Sequence, residues 1–102
     1  MSVAPIFKAL GDPVRLEIVK RLSDGSTYTL GNLSEGLGVS RQGARKQIQV
    51  LESAKIIKIK SVGRETRVTL NAAPLEKARA FIASLEAQWD SRLQALKDFV
   101  EE

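Results

Sequence analysis

Two residue types are missing from this chain altogether: none of its 102 residues is a cysteine and none is a histidine. Without cysteine there is no disulfide, no thiolate metal site and no thiol redox sensor. Without histidine, the commonest catalytic base and the commonest transition-metal ligand are both gone. No nucleophile–base pair, glycine-rich phosphate loop or metal triad can be assembled from what is left. An enzyme is therefore not expected, nor a metal site or any cofactor. Apolar runs long enough to span a bilayer are absent too, and residues 1–4 open no signal peptide. A cytoplasmic protein with no membrane partner is expected. No internal repeat or low-complexity segment interrupts the chain. The balance that remains, 43% hydrophobic and 27% charged, is ordinary for a globular protein, and residues 1–102 read as one domain with a real core.

Charge is where the composition becomes informative. The net charge is +4 and the pI is near 9.7, but the excess is concentrated. Residues 41–67 hold eight Lys or Arg against two Asp or Glu, whereas residues 71–102 hold four against six. A clustered basic patch is the footprint of phosphate binding, and dispersed charge would serve solubility alone.

That patch falls on a helical pattern followed by an alternating one. Ser40 is a natural N-cap, and Ala44, Ile48 and Leu51 then recur at spacings of four and three, the buried stripe of an α-helix ending near Ala54. On the adjoining face stand Arg41, Gln42, Arg45 and Gln49, with Lys46 at its edge. Arg pairs bidentately with guanine and Gln with adenine, so this face suits a major groove; a solvated amphipathic helix is the plain alternative. Ahead of it, Thr29 caps a helix expected to reach Leu37, with Leu30, Leu33 and Leu37 inward, and Gly38 makes a turn of about three residues. Helix, glycine turn and second helix over residues 29–54 make a helix-turn-helix. Beyond it, Ile57 and Ile59 alternate with Lys58 and Lys60, and Val68 and Leu70 with Arg67 and Thr69. Val62-Gly63-Arg64-Glu65 turns between them, so residues 56–70 form a β-hairpin. Its polar face and tip carry Lys58, Lys60, Arg64 and Arg67. As edge lysines these would merely discourage strand pairing; after a helix-turn-helix they read better as a DNA-contacting wing.

Short helices are expected over residues 4–10 and from Pro13 to about Leu22, with Gly11-Asp12-Pro13 ending one and capping the next. Residues 27–29 form a minor strand. From Pro74 the helical period returns, and Leu75, Ala78, Ile82, Leu85, Trp89, Leu93, Leu96 and Val100 step by three or four to the end. A helix of that extent runs ~40 Å at 1.5 Å per residue, whereas a domain of this size has a radius of gyration of ~13 Å. The stripe overhangs what one subunit can cover, and a second copy of the same helix is the simplest cover.

The order of elements, mainly α with a small hairpin in the sequence α-α-β-α-α-β-β-α, resembles the ArsR/SmtB family of winged helix-turn-helix regulators. The resemblance is carried by Phe7-Lys8-Ala9-Leu10-Gly11-Asp12-Pro13-Val14-Arg15, by Leu33-Ser34-Glu35-Gly36-Leu37-Gly38-Val39-Ser40-Arg41-Gln42, by Val50-Leu51-Glu52 and by Val62-Gly63-Arg64. It implies a sequence-specific regulator of double-stranded DNA, expected to be a repressor on an inverted-repeat operator. It also implies a homodimer joined by residues 1–11 and 72–102, through Ile6, Phe7 and Leu10 together with Ile82, Leu85, Trp89, Leu93 and Leu96. A winged-helix module that binds protein or RNA without reading DNA sequence is the alternative.

Departures from the family pattern matter as well. Metal-sensing members carry cysteines in the third helix or Asp, His and Glu ligands in the last. Here the third helix reads Leu30-Gly31-Asn32-Leu33-Ser34-Glu35 and the last offers only scattered carboxylates such as Glu86 and Asp90, so no soft-metal response is expected. Lys55 stands where the family usually has glycine after the recognition helix, so either that helix ends differently or Lys55 takes a left-handed backbone. Gly31, Gly36 and Gly43 are expected inside helices, Gly43 at a crowded crossing or close to a phosphate.

Overall fold

The computed structural model describes residues 2–101. Its elements follow in the order α1 (Ala4–Leu10), α2 (Pro13–Leu22), β1 (Tyr28–Thr29), α3 (Leu30–Ser34), α4 (Arg41–Ser53), β2 (Ile57–Val62), β3 (Glu65–Leu70) and α5 (Ala72–Glu101). This is a mainly helical chain with a small antiparallel sheet, the winged helix-turn-helix topology.

Local chemistry explains most of the boundaries. Asp12 lies in extended backbone, and its Oδ2 accepts from the amides of Val14 at 2.9 Å and Arg15 at 3.1 Å, two of the orphan donors of α2. Pro13, at the first helical position, has no amide to satisfy. Between β2 and β3, Gly63 takes φ +62° while Arg64 does not turn positive, the pattern of a type II′ loop whose twist matches the strands it joins. The sheet runs β1-β3-β2 with β3 in the middle. Ile59 stands opposite Val68 on the inner face, and Lys60 opposite Arg67 on the outer one.

The core lies where α2, α3 and α4 meet the sheet. Ile18, Leu22, Leu33, Ile48, Leu51, Ile56, Ile57 and Val68 are fully buried there, and Ile6, Ala9 and Ala78 close its upper side. No charged or polar residue is buried among the described residues.

Two expectations need correction. The third helix stops at Ser34 rather than Leu37: Glu35 is extended, and Gly36 and Gly38 adopt φ +69° and +74°. Gly36 is therefore a turn residue, not a helical one. Six residues, not three, separate α3 from α4. The cause is tertiary, since the Arg21 guanidinium on α2 donates to the carbonyls of Leu33, Glu35 and Gly36 and holds the chain in a wide turn. Leu37 still packs against the core from outside the helix. The minor strand is Tyr28–Thr29 and leaves out Thr27. The last helix begins at Ala72, the expected start of the segment 72–102, and Pro74 is tolerated in its first turn because the amides there have no intrahelical acceptor.

Helix α5 dominates the shape. Thirty residues at 1.5 Å each make a rod of ~45 Å, and the whole chain measures 69 × 25 × 23 Å. Its radius of gyration is 18.3 Å, against ~13 Å for a compact domain of this length. Beyond Ala78 every described residue of the rod is exposed. No helix among the described residues is long and apolar enough to cross a membrane.

Candidate nucleic-acid interface

Helix α4 is built as its pattern predicts. Ser40 Oγ accepts from the Gly43 amide at 3.0 Å, and Ala44, Ile48 and Leu51 are buried to within 1%. That stripe against α2 and α3 turns Arg41, Gln42, Arg45, Lys46 and Gln49 outward, and all five are exposed. Gln47, half-buried, points the other way: its Oε1 accepts from Arg15 at 2.6 Å. Arg15 also donates to the carbonyls of Ala9 and Lys8, so one guanidinium ties α1, α2 and α4 together.

At its far end α4 closes in a Schellman motif. The amide of Lys55 donates to Glu52 O at 2.9 Å, and that of Ile56 to Leu51 O at 3.0 Å. The motif demands a left-handed residue, and Lys55 supplies it at φ +62°, alone among the described non-glycine residues. The helix thus ends where expected and Lys55 carries the strain, ~1 kcal/mol or more relative to glycine. Burial of both Leu51 and Ile56 is the apolar contact that accompanies such a cap. Asn71 Nδ2 braces it by donating to Lys55 O at 2.9 Å.

Two hollows flank the exposed face. One, of about 340 Å³, lies between the start of α3, the start of α4 and the hairpin tip, and its wall includes Thr29, Ser34, Arg41, Arg45, Arg64 and Glu65. The other, of about 590 Å³, follows α4 itself past Ser40, Gln42, Gly43, Arg45, Lys46 and Gln49. Arg45 borders both. Arg64 joins Arg41 and Arg45 although it lies some twenty residues further along the chain, because the hairpin tip lies beside the start of α4. Lys58, Lys60 and Arg67 line neither hollow. They stand on the outer face of the hairpin, where Arg67 Nε donates to Glu65 Oε2 at 3.3 Å.

Among the described residues, Arg92 on the rod and the arginines of this face have no acceptor, whereas the other arginines do. Arg15, Arg21, Arg67 and Arg79 each donate to, or pair with, an acceptor of the chain. Arg41, Arg45 and Arg64 have no acceptor among the described residues. Three unpaired guanidiniums around one hollow leave planar donor forks facing solvent, ready for phosphate or a base edge. Thr29 and Ser34 were not among the expected site residues, although the reading of Thr29 as a cap was a signal for it: its hydroxyl accepts from Asn32 N at 3.1 Å. Gly43 is crowded by its own cap, since a Cβ there would meet Ser40 Oγ at 3.2 Å and Val39 Cβ at 3.5 Å. The three nearest atoms belong to this cap and not to a crossing helix.

The second surface is the outer stripe of α5. Phe81, Ile82, Leu85, Trp89, Leu93 and Leu96 are 41–60% exposed, and Phe99 and Val100 about three-quarters exposed. Phe7 of α1 lies at its root, its ring edge-on to Phe81 with centroids 5.8 Å apart. Phe7 and Leu10 are half-buried. Ile6 differs from the expectation: it is 6% exposed and belongs to the subunit's own core, so little of it is left for a second chain.

With this geometry in hand, comparison with known proteins is informative. The helix-turn-helix domain family matches residues 10–59. An uncharacterised HTH-type transcriptional regulator of Bacillus subtilis, YuzN, is 35% identical over 77 residues, covering 70% of this chain and 84% of that one. An ArsR-like transcriptional regulator from Rhodococcus sp. RHA1 superposes with a TM-score of 0.78 at 33% identity, over 95% of this chain and 91% of that one. This chain belongs to the ArsR-type helix-turn-helix regulators. The transcriptional repressor BigR of Xylella fastidiosa, at 24% identity, TM-score 0.64 and coverage of 79% and 83%, shares the fold. As an ArsR-type regulator, the chain has DNA as its class of partner and comes from a family that is not catalytic. It lacks the cysteine and histidine clusters of metal-sensing members, and no three carboxylates gather among the described residues.

Proposed function

We propose that this regulator is a homodimeric, sequence-specific repressor that binds an inverted-repeat operator, with α4 of each subunit in a major groove and the hairpin tip against the adjoining backbone or minor groove. One observation carries the reading: Arg41, Arg45 and Arg64, from two distant segments, converge unpaired on the hollow between α4 and the hairpin. A folded chain gains nothing from holding three like charges around one hollow; a polyanion seated there would offset their repulsion. Arg41, Gln42, Arg45 and Gln49 carry the donors and acceptors that read base edges, while Ser40, Lys46, Lys58, Lys60 and Arg67 suit backbone contact.

Dimerisation is supported by the outer half of α5, whose exposed apolar stripe continues from Phe7 and Leu10 at its root. An isologous pairing would cover the stripes of both chains at once. Two-fold symmetry then sets the half-sites about 34–36 Å apart, one helical turn. No soft metal takes part in this scheme.

The experiment is selection from a random duplex library, followed by titration of the selected and scrambled duplexes at several salt concentrations, with light scattering of the free protein. Recovery of an inverted repeat, bound at least a thousandfold more tightly than scrambled DNA by a protein of twice the chain mass, is expected. Equal affinity for all duplexes would transfer the case to a protein- or RNA-binding module.

A further inference from the structure

Arg92 stands in the middle of the apolar stripe of α5. At about 100° per residue, Phe81, Leu85, Trp89, Arg92, Leu96 and Phe99 fall within roughly a quarter of the helix circumference, and Arg92 is the charged residue among them. Its neighbours one turn away on either side are Gln88, Trp89, Ala95 and Leu96, so no carboxylate of its own helix faces it at the spacing of three or four. Glu86 and Lys97 stand on one flank of the same stripe, about 20° apart around the helix. Neither of them, nor Arg92, has an ion-pair partner among the described residues. Whatever covers the stripe must engage a guanidinium at its centre, because a buried charge left alone is costly.

We infer that the rods of two copies pair antiparallel, with the two-fold axis between Asp90 and Ser91, and that Arg92 sets this direction by packing on Trp89 of the partner subunit. The inference rests on the dimeric reading and names the contacts that the dimer uses. In a parallel pair each residue lies level with its own copy, so two guanidiniums would meet inside an apolar seam with no carboxylate beside them. Antiparallel pairing about residues 90 and 91 brings Arg92 level with Trp89 of the partner subunit, and by symmetry does so twice. The stem of the arginine follows the apolar seam while its guanidinium lies on the indole face, to which a cation is attracted. The same register sets Leu85 level with Leu96 and Ile82 level with Phe99. Glu86 comes within ~3 Å along the axis of Lys97 of the partner subunit, on the same flank, so opposite charges meet beside the seam. The hollow between α1 and α5, about 550 Å³ and walled by Phe7, Leu10, Ala78 and Ile82, is covered at the same time. Val100 of the partner subunit, 74% exposed in the single chain, comes level with Phe81 at its edge. The two heads then leave the rods at opposite ends, ~38 Å apart along the axis at Ala78, which is the scale of one turn of DNA.

The absence of cysteine makes the test direct. Ala80→Cys, Ser91→Cys and Asp98→Cys, one per chain and all on the outer face of the rod, carry nitroxide labels whose separation in the dimer is read by pulsed electron paramagnetic resonance. Antiparallel rods offset the paired labels along the axis by ~32, ~2 and ~22 Å respectively. The distance should therefore be longest at 80 and shortest at 91. Equal distances at the three sites in a dimer would mean parallel rods and overturn the inference. Arg92→Leu should add a population in which the labels at 80 are as close as those at 91; an unchanged distribution would take the choice of direction away from Arg92. Charge reads the register. Glu86→Lys and Lys97→Glu should each weaken the homodimer at least threefold. Mixed together, the two variants should form heterodimers well above the statistical half, because the mixed pair restores both opposite-charge contacts. A statistical mixture would overturn the register. Both positions are exposed in the single chain, so the thermal transition of the head should stay unchanged in these variants. A wild-type chain that is monomeric by light scattering would overturn the dimeric reading itself, whereas a flat distance profile in a dimer would overturn this inference alone.

Discussion

The chain divides at Ala78 into two regions built by opposite rules. Up to that residue the molecule is self-sufficient, with eight large side chains fully buried and its turns tied by Arg15 and Arg21. After it comes a single rod on which every described residue is exposed, apolar ones included. A monomer rarely leaves so long an apolar stripe in water. The head is a finished folding unit and the rod is half of one. On this view the two regions also carry different kinds of interaction: unpaired arginines in the head for a polyanion, unpaired apolar surface on the rod for a like surface.

The largest effect should come from breaking the rod. Trp89→Asp or Leu93→Asp would place a carboxylate in the pairing surface, at a cost of ~3 kcal/mol or more to the dimer. Sedimentation or light scattering at micromolar concentration should fall from twice the chain mass to once, with the head's thermal transition retained. A fully dimeric Trp89→Asp protein would mean that the stripe is not the interface. Loss of the head's cooperative unfolding would deny that the head folds by itself.

Within the head, the contrast sharpens between reading and holding. Arg45→Ala or Gln42→Ala should cost ~1–3 kcal/mol on the operator and far less on scrambled DNA, because a base-edge contact exists only with the correct base. Lys58→Ala with Lys60→Ala should weaken both duplexes about equally, reducing the salt slope by roughly one for each phosphate that is no longer neutralised. Arg64 should fall between the two patterns, since an arginine in a narrow minor groove reads shape. Parallel losses on both duplexes for the helix variants would take the reading role away from α4.

Much of this was legible from local pattern. Ser40 and Asp12 cap as their side-chain chemistry dictates, the stripe Ala44-Ile48-Leu51 is buried, and the alternation around Gly63 is a hairpin. What escaped was whatever a distant side chain decides. Gly36 was a local stop signal for α3 that the apolar spacing of Leu33 and Leu37 outweighed, and Arg21, thirteen residues ahead of Ser34, fixes the turn by collecting three carbonyls. Likewise, the meeting of Arg64 with Arg41 and Arg45 depends on how the sheet docks on α4, and no spacing encodes it. Ile6 matches the spacing of an interface residue and of a core residue equally well. Only the packing of α1 decides for the core.

Lys55 lies at the joint between head and rod and offers a smaller, purely structural effect. Its left-handed backbone suits glycine, so Lys55→Gly should relieve the strain and stabilise the head by up to ~1 kcal/mol, with the greater freedom of glycine in the unfolded chain subtracting part. Chemical denaturation should show the shift in midpoint with an unchanged slope. A destabilised variant would mean that the lysine side chain contributes more there than its backbone costs.

The smallest effect concerns whether the head's exposed turns are tied as firmly as its core. Asp24 precedes the turn at Gly25, where its Oδ1 accepts from the Ser26 amide at 2.8 Å and its Oδ2 from the Tyr28 hydroxyl at 3.0 Å. The Ser26 amide bond first, and the Tyr28 bond second, favour the charged carboxylate and hold its pKa below the ordinary 3.8; the same carboxylate raises Tyr28 above 10.0. A carboxyl depressed in the folded state contributes stability above its unfolded pKa and loses it as pH falls through the folded value. The tie should therefore be complete at neutral pH and fail only in acid below the ordinary carboxylate range. On the tyrosine side, it weakens as pH rises past 10. Tyr28→Phe removes the second bond and leaves the first. In an NMR titration of side-chain carboxyls, the Asp24 midpoint should therefore move upward and still stay under the ordinary value. A midpoint that does not move would show that the tyrosine contact is absent in solution, and that this turn, unlike the core beneath it, is held by the backbone bond alone.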